Sequence, residues 1–222
     1  MNPLPLDMQL LNACAALLLL LSFSMLAQRR TVNLVHLLAL QGALLVVATL
    51  IVAWRTGEAH LYLSALLTLA LKVFGLPFLL HRLIRRMNVY WDTEPVINPS
   101  ATMLIGLLVV VFSFGLAQPI SALASTATRS TLGIAIAVIL LSFLAMITRR
   151  KAMSQVVAFL SMENGLFFGA MSATYGMPMV VELGVALDVL VAMLVLGVFF
   201  FQIREQFDSL DLCHLETLKE RE

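Results

Sequence analysis

Residues 152–175 read AMSQVVAFLSMENGLFFGAMSATY. The stretch is apolar over the roughly 20 helical residues that a bilayer's hydrocarbon core requires. An acid, Glu163, sits at its centre. A charge at that depth is expensive unless paired, hydrated or neutralised, so it is a functional candidate by default. Further runs of the same kind occupy 8–27, 34–54, 61–80, 101–119, 131–148 and 179–203. The expectation is an all-α polytopic membrane protein of about seven transmembrane helices. Composition agrees: 61% of the 222 residues are apolar and 12% are charged, too little charge for a soluble domain of this length.

Organisation follows from the connections. Residues 1–100 form an N-terminal three-helix membrane segment with a cytoplasmic loop, and 101–130 form a linking helix. Residues 131–203 form a second three-helix segment, and 204–222 a cytoplasmic tail. Trp91-Asp92-Thr93-Glu94-Pro95 and Asn98-Pro99 are turn and breaker signals in the longest connection. Tyr175-Gly176-Met177-Pro178 is so short that the last two spans should form an antiparallel hairpin. Met1 to Asp7 lacks the basic region of a signal peptide, and the first apolar run is long enough to remain a span. Cys14 and Cys213 are too far apart in the chain's organisation for a disulfide or a metal site.

Basic residues set the expected orientation, because positive loops stay in the cytoplasm. Arg29, Arg30, Arg82, Arg85, Arg86, Arg149, Arg150, Lys151, Arg204, Lys219 and Arg221 fall on one side, and Arg55 and Arg129 on the other. This places the N-terminus outside and the C-terminus in the cytoplasm of a multi-pass protein of the inner (plasma) membrane. Gln28-Arg29-Arg30 before the second span resembles Thr148-Arg149-Arg150-Lys151 before the sixth. Each of those spans carries a polar residue before glycine, Gln41-Gly42 and Asn164-Gly165. A parallel three-helix repeat joined by the fourth span would produce that pattern.

The remaining intramembrane polar residues are Lys72 in the third span, Glu182 and Asp188 in the seventh, and His36 and Gln41 in the second. At about 1.5 Å per residue, Glu163 lies ~16 Å from the cytoplasmic end of its span and Asp188 ~13 Å from the outer end of its own. Glu182 lies only ~5 Å in, where it serves either a relay or the headgroup interface. Gly75 and Pro77 follow Lys72, and a proline there removes a backbone hydrogen bond and kinks the helix. Lys72 is then a relay member or the partner of a buried acid. Glu163 and Asp188 fit a proton relay, with structural polar contacts as the other reading. His36 fits the cytoplasmic headgroups, and Gln41 fits a helix–helix hydrogen bond. Gly165 and Gly169, extended by Ala173, form a small-residue ridge roughly opposite Glu163, and Gly184 leaves room beside Asp188. The tail brings Phe207, Leu210, Leu215 and Leu218 onto one loose helical face, suited either to the membrane surface or to a cytoplasmic partner.

Leu160-Ser161-Met162-Glu163-Asn164-Gly165 resembles the L-x-M-E-N-G stretch of the hydrogenase-4 component E family. Val181-Glu182-Leu183-Gly184-Val185-Ala186-Leu187-Asp188 resembles its V-E-x-G-x-A-x-D pattern. Lys72-Val73 with Pro77 resembles its K-V-x-x-x-P element, and Leu210-Asp211 through Leu215, Leu218 and Lys219 its ending. The resemblance implies a non-catalytic subunit in the membrane arm of formate-hydrogenlyase-like, group-4 nickel–iron hydrogenase complexes. Its partners would be antiporter-like membrane subunits, with a cytoplasmic subunit possible at the tail. The last three helices are similar to the small three-helix subunit of respiratory complex I and to its counterpart in the Mrp-type multisubunit sodium/proton antiporters. Glu163 then corresponds to a membrane carboxylate of the small subunit, and either Glu182 or Asp188 to a second. The expected function is a proton path through Glu163, Asp188, Glu182 and Lys72, or scaffolding of the arm. Gln41, His36 and Asn164 are secondary polar candidates. A cation/proton antiporter subunit without redox partners is the alternative. No cofactor, metal, catalytic residue or nucleic-acid partner is expected.

Overall fold

The computed structural model describes residues 6–87, 98–121 and 126–174, together with residues 184, 186, 187, 189, 190 and 193. Their regular elements are all helices. In chain order these are α1 (Leu6–Ala27), α2 (Thr31–Thr56), α3 (Ala59–Thr68), a π-helical segment (Leu69–Gly75), α4 (Leu76–Met87), α5 (Pro99–Ser121), α6 (Thr126–Thr148) and α7 (Ala152–Thr174). Among the described residues six stretches are long and apolar enough to cross a membrane, with α3, the π segment and α4 counted as one, Ala59–Arg85. They match the first six expected spans to within a few residues. The expected seventh span, Glu182 and Asp188 within it, the turn at 175–178 and the tail lie outside the described residues, apart from single helical positions. The chain divides into two compact units, 1–185 and 186–222. The helices α1 to α7 all belong to the first. In the second, Ala186, Leu187, Val189, Leu190 and Met193 are helical.

The turns are built from backbone requirements. Gly57 ends α2 at φ 72°, the left-handed geometry that glycine adopts without a Cβ clash, and its N–H bonds to the Ala53 carbonyl at 2.9 Å. The chain reverses there into α3. At the other end of the bundle, Arg149 follows α6 and is buried although charged. Its guanidinium donates to the carbonyls of Met25 at 2.6 Å and Gln28 at 2.9 Å, which satisfies acceptors that the end of α1 leaves open. Several hydroxyls inside the spans bond back along their own helices, as where Thr49 donates to the Leu45 carbonyl and Ser172 to that of Phe168.

The core is shared by five helices, with Leu61 contributed by α3. Leu18 of α1, Leu45 and Ala48 of α2, Val138 of α6 and Phe168 and Met171 of α7 are all buried in it. Outside, α5 exposes Leu104, Leu107, Leu108, Val111 and Phe112. Such a surface suits hydrocarbon and would be a liability in water.

The internal echo has a structural counterpart. At a constant shift of 120 residues, Leu20-Leu21-Ser22-Phe23 falls on Leu140-Leu141-Ser142-Phe143, and Arg29-Arg30 on Arg149-Arg150. The same shift relates two interhelical hydrogen bonds. Gln41 donates to Ser22 at 2.8 Å within the α1–α2 hairpin, and Ser142 donates to Ser161 at 2.9 Å within α6–α7. α1 packs on α6 and α2 on α7, so each helix touches its own counterpart. Among the described residues, positions 22 and 41 thus bond as positions 142 and 161 do, while the third helix of the expected three-helix repeat lies largely outside them.

Candidate functional site

The third span is irregular where its sequence demands it. Pro77 has no N–H, and its ring crowds the preceding turn, so a regular α-helix cannot run through it unchanged. The span answers with the π segment Leu69–Gly75, closed by the Leu76 N–H reaching back five residues to the Leu71 carbonyl. One widened turn admits the extra residue, and such turns recur at functional sites. The kink expected from Pro77 therefore takes the form of a π-helical stretch around Lys72.

That stretch carries Lys72 into the bundle, where it is 4% exposed. The approach depends on α2. A Cβ placed on Gly42 would lie 3.0 Å from the Lys72 Cβ and 3.2 Å from its carbonyl oxygen, so only glycine lets the two backbones come this close. Gly42 forms the floor on which Lys72 rests.

Four more buried polar side chains meet the ammonium in sequence. Lys72 Nζ donates to Asn164 Oδ1 at 3.0 Å and lies 3.4 Å from Glu163 Oε1. Asn164 Nδ2 donates to Gln41 Oε1 at 3.3 Å, and Gln41 Nε2 donates to Ser22 Oγ at 2.8 Å. Ser22 Oγ donates to the Leu18 carbonyl at 2.9 Å, where the chain of bonds ends. Every donor points the same way, from the ammonium on the third span through α7 and α2 to α1. The Phe167 ring faces Lys72 with its centre 5.3 Å from the nitrogen, a cation–π distance.

The chemistry of the cluster is divided. Neutral amides hydrogen-bond well but do not readily pass a proton, because doing so forces an unstable tautomer. Asn164 and Gln41 therefore orient the ammonium. Lys72 and Glu163 are the two members able to change charge. A buried polar network of this kind fixes helix register when every member is satisfied, and a half-satisfied one is costly.

The other expected residues fall elsewhere. His36 is exposed on α2, away from the cluster, with its ring centre 5.4 Å from that of His81 on α4. Gly165 meets Val138 and Ile139 of α6, and Gly169 meets Ala135. Thus one face of α7 carries the polar pair and another carries the glycines that admit α6. Gly184 lies against the Phe167 ring, where a Cβ would come within 2.5 Å. Ser22, Ser161 and the capping Arg149 are structural partners that hydropathy alone did not single out. The constant shift between the two hairpins is the signal that marks all three.

An uncharacterized protein of Mycobacterium tuberculosis, Rv0085, is 33% identical over 212 residues, covering 95% of this chain and 96% of its own. The chain belongs to that protein's family. Hydrogenase-4 component E of Escherichia coli and of Shigella flexneri is more distant, each 24% identical over 148 residues, 67% of this chain and 68% of theirs. No family model and no solved structure matches. The similarity to component E agrees with the family suggested by the L-x-M-E-N-G motif, at the level of a distant relation.

Proposed function

We propose that this family member is a membrane-arm subunit of a hydrogenase-type, complex I-related assembly, and that Lys72 and Glu163 form one station of its proton path. The observation that carries the proposal is a lysine and a glutamate, both nearly inaccessible, placed together inside apolar helices. A purely structural polar contact needs no net charges there, and burying them has a large desolvation penalty. The distant likeness to hydrogenase-4 component E supplies the class of assembly. Glu182 and Asp188 belong to the same proposed path, on the neighbouring span. The basic clusters support an N-terminus outside and a C-terminus in the cytoplasm of the plasma membrane, with the tail open to a cytoplasmic partner.

The pair works as a charge balance. A proton delivered to Glu163 leaves the ammonium as a net charge in a low-dielectric site. Neutrality returns when a proton leaves for the next acid, so entry and exit are linked.

Glu163→Gln tests this reading in the whole assembly. The amide still offers Lys72 an oxygen, so assembly should survive while coupled proton movement into membrane vesicles falls to background. Unchanged proton movement would remove Glu163 from the path, and loss of assembly would assign it a structural role.

A further inference from the structure

A second feature lies on the opposite side of the π segment from the buried cluster. Between α2 and α4 an open groove runs up the outside of the bundle. Its deeper part is lined by Val73, Phe74, Pro77 and Phe78, with both phenylalanines exposed. Its mouth is lined by His36, His81, Arg82 and Arg85, and no acid lines it among the described residues. From Val73 to Arg85 the span climbs about 18 Å at 1.5 Å per residue. That distance covers a headgroup and the upper part of an acyl chain. The mouth opens at the end of the bundle that also carries Arg29, Arg30, Arg150 and Lys151 at the neighbouring helix ends.

We infer that this groove is a binding site for an anionic phospholipid. The phosphate would lie between Arg82, Arg85 and the two imidazoles, and one acyl chain would run along Phe78 and Phe74 towards the π segment. Charge selects the occupant: a basic mouth over an apolar trough matches a phosphodiester on a hydrocarbon chain, as basic pockets between membrane helices do generally. Pro77 itself lines the trough, between Phe74 and Phe78. Val73 and Phe74 directly follow Lys72, so the lipid would pack on the back of the segment that positions the buried ammonium.

The full chain, purified in neutral detergent with whatever subunits accompany it, tests the site by native mass spectrometry. Phosphatidylglycerol should be retained about 30-fold more tightly than phosphatidylcholine, given ~1 kcal/mol for each of Arg82 and Arg85 near an anionic phosphate. The double variant Arg82→Gln with Arg85→Gln should lose that preference. Equal retention of the two lipids by the natural protein, or a preference that survives in the double variant, would overturn the site. An independent arm places a photoactivatable side chain at position 78 in the native membrane. A phospholipid adduct is expected there. A polypeptide adduct would instead make the groove a subunit interface and sink the lipid assignment.

Discussion

Two ion pairs among the described residues have nearly equal length and opposite surroundings. Lys72 and Glu163 are 3.4 Å apart at 4% and 3% side-chain exposure. Arg55 and Asp7, where α2 ends and α1 begins, are 3.3 Å apart at 42% and 33%. Distance does not rank them. In water the attraction is weak and the side chains lose entropy by meeting, so an exposed pair contributes about 0–1 kcal/mol. In the interior the attraction is strong, but it must offset the loss of hydration. Removing one buried partner then leaves a charge with no compensation, at about 3–5 kcal/mol. The inner pair is therefore the sensitive one, although the two look alike as contacts.

The largest expected effect follows directly. Lys72→Met should lower unfolding stability by about 3–5 kcal/mol, read as a fall in the denaturation midpoint of the detergent-purified protein. It also removes the donor that holds Asn164 Oδ1, which releases the bond to Gln41. Combining Lys72→Met with Glu163→Leu should restore more than half of the loss, because no buried charge is then left without its partner. A double variant as unstable as the sum of the two single ones would show that the charges do not compensate each other.

The floor beneath the pair gives a middle-sized effect. Gly42→Ala adds a Cβ 3.0 Å from the Lys72 Cβ and 3.2 Å from its carbonyl oxygen. A backbone atom cannot swing aside as a side-chain tip can, so the third span must shift. The expected cost is about 1–3 kcal/mol, the range for overpacking a filled site. Gly165→Ala meets the Val138 Cγ1 at 2.8 Å and its Cβ at 3.2 Å, side-chain atoms rather than backbone. Measured side by side, Gly42→Ala should be the more damaging of the two and should also impair proton movement. The reverse order would break the claim that Gly42 serves the ion pair.

These two regions also show what hydropathy can and cannot deliver. Apolar length places the first six spans because the bilayer imposes one physical requirement on each. Lys72, Glu163, Asn164 and Gln41 stand out because polar atoms are rare at that depth. Their mutual bonding is not legible in the same way. It depends on the rotation of three spans about their axes, which the lipid does not constrain. Ser22 escapes hydropathy for a different reason: a serine inside a span is ordinary, since it bonds back to its own helix, as it does here to Leu18. The π segment had a signal in Pro77, but a proline announces a disturbance without saying how the backbone absorbs it. His36 reads as an interfacial residue from its position, while its neighbour His81 comes from a helix far along the chain.

The smallest effect belongs to the outer pair, and it closes the comparison. Trp54 beside Arg55 is 84% exposed, as suits an aromatic residue in the headgroup layer. Arg55 can therefore exchange Asp7 for lipid phosphate or water at little cost. Asp7→Asn should change the denaturation midpoint by an amount equivalent to about 0–1 kcal/mol. Even that difference should fade as salt is raised, because screening at 0.15 M already acts over about 8 Å. The Lys72→Met loss should persist at the same salt, since ions do not reach a pair buried among helices. A salt-resistant penalty of several kcal/mol for Asp7→Asn would mean that the outer pair is as enclosed in the membrane as the inner one. It would also mean that exposure in the isolated chain does not separate them.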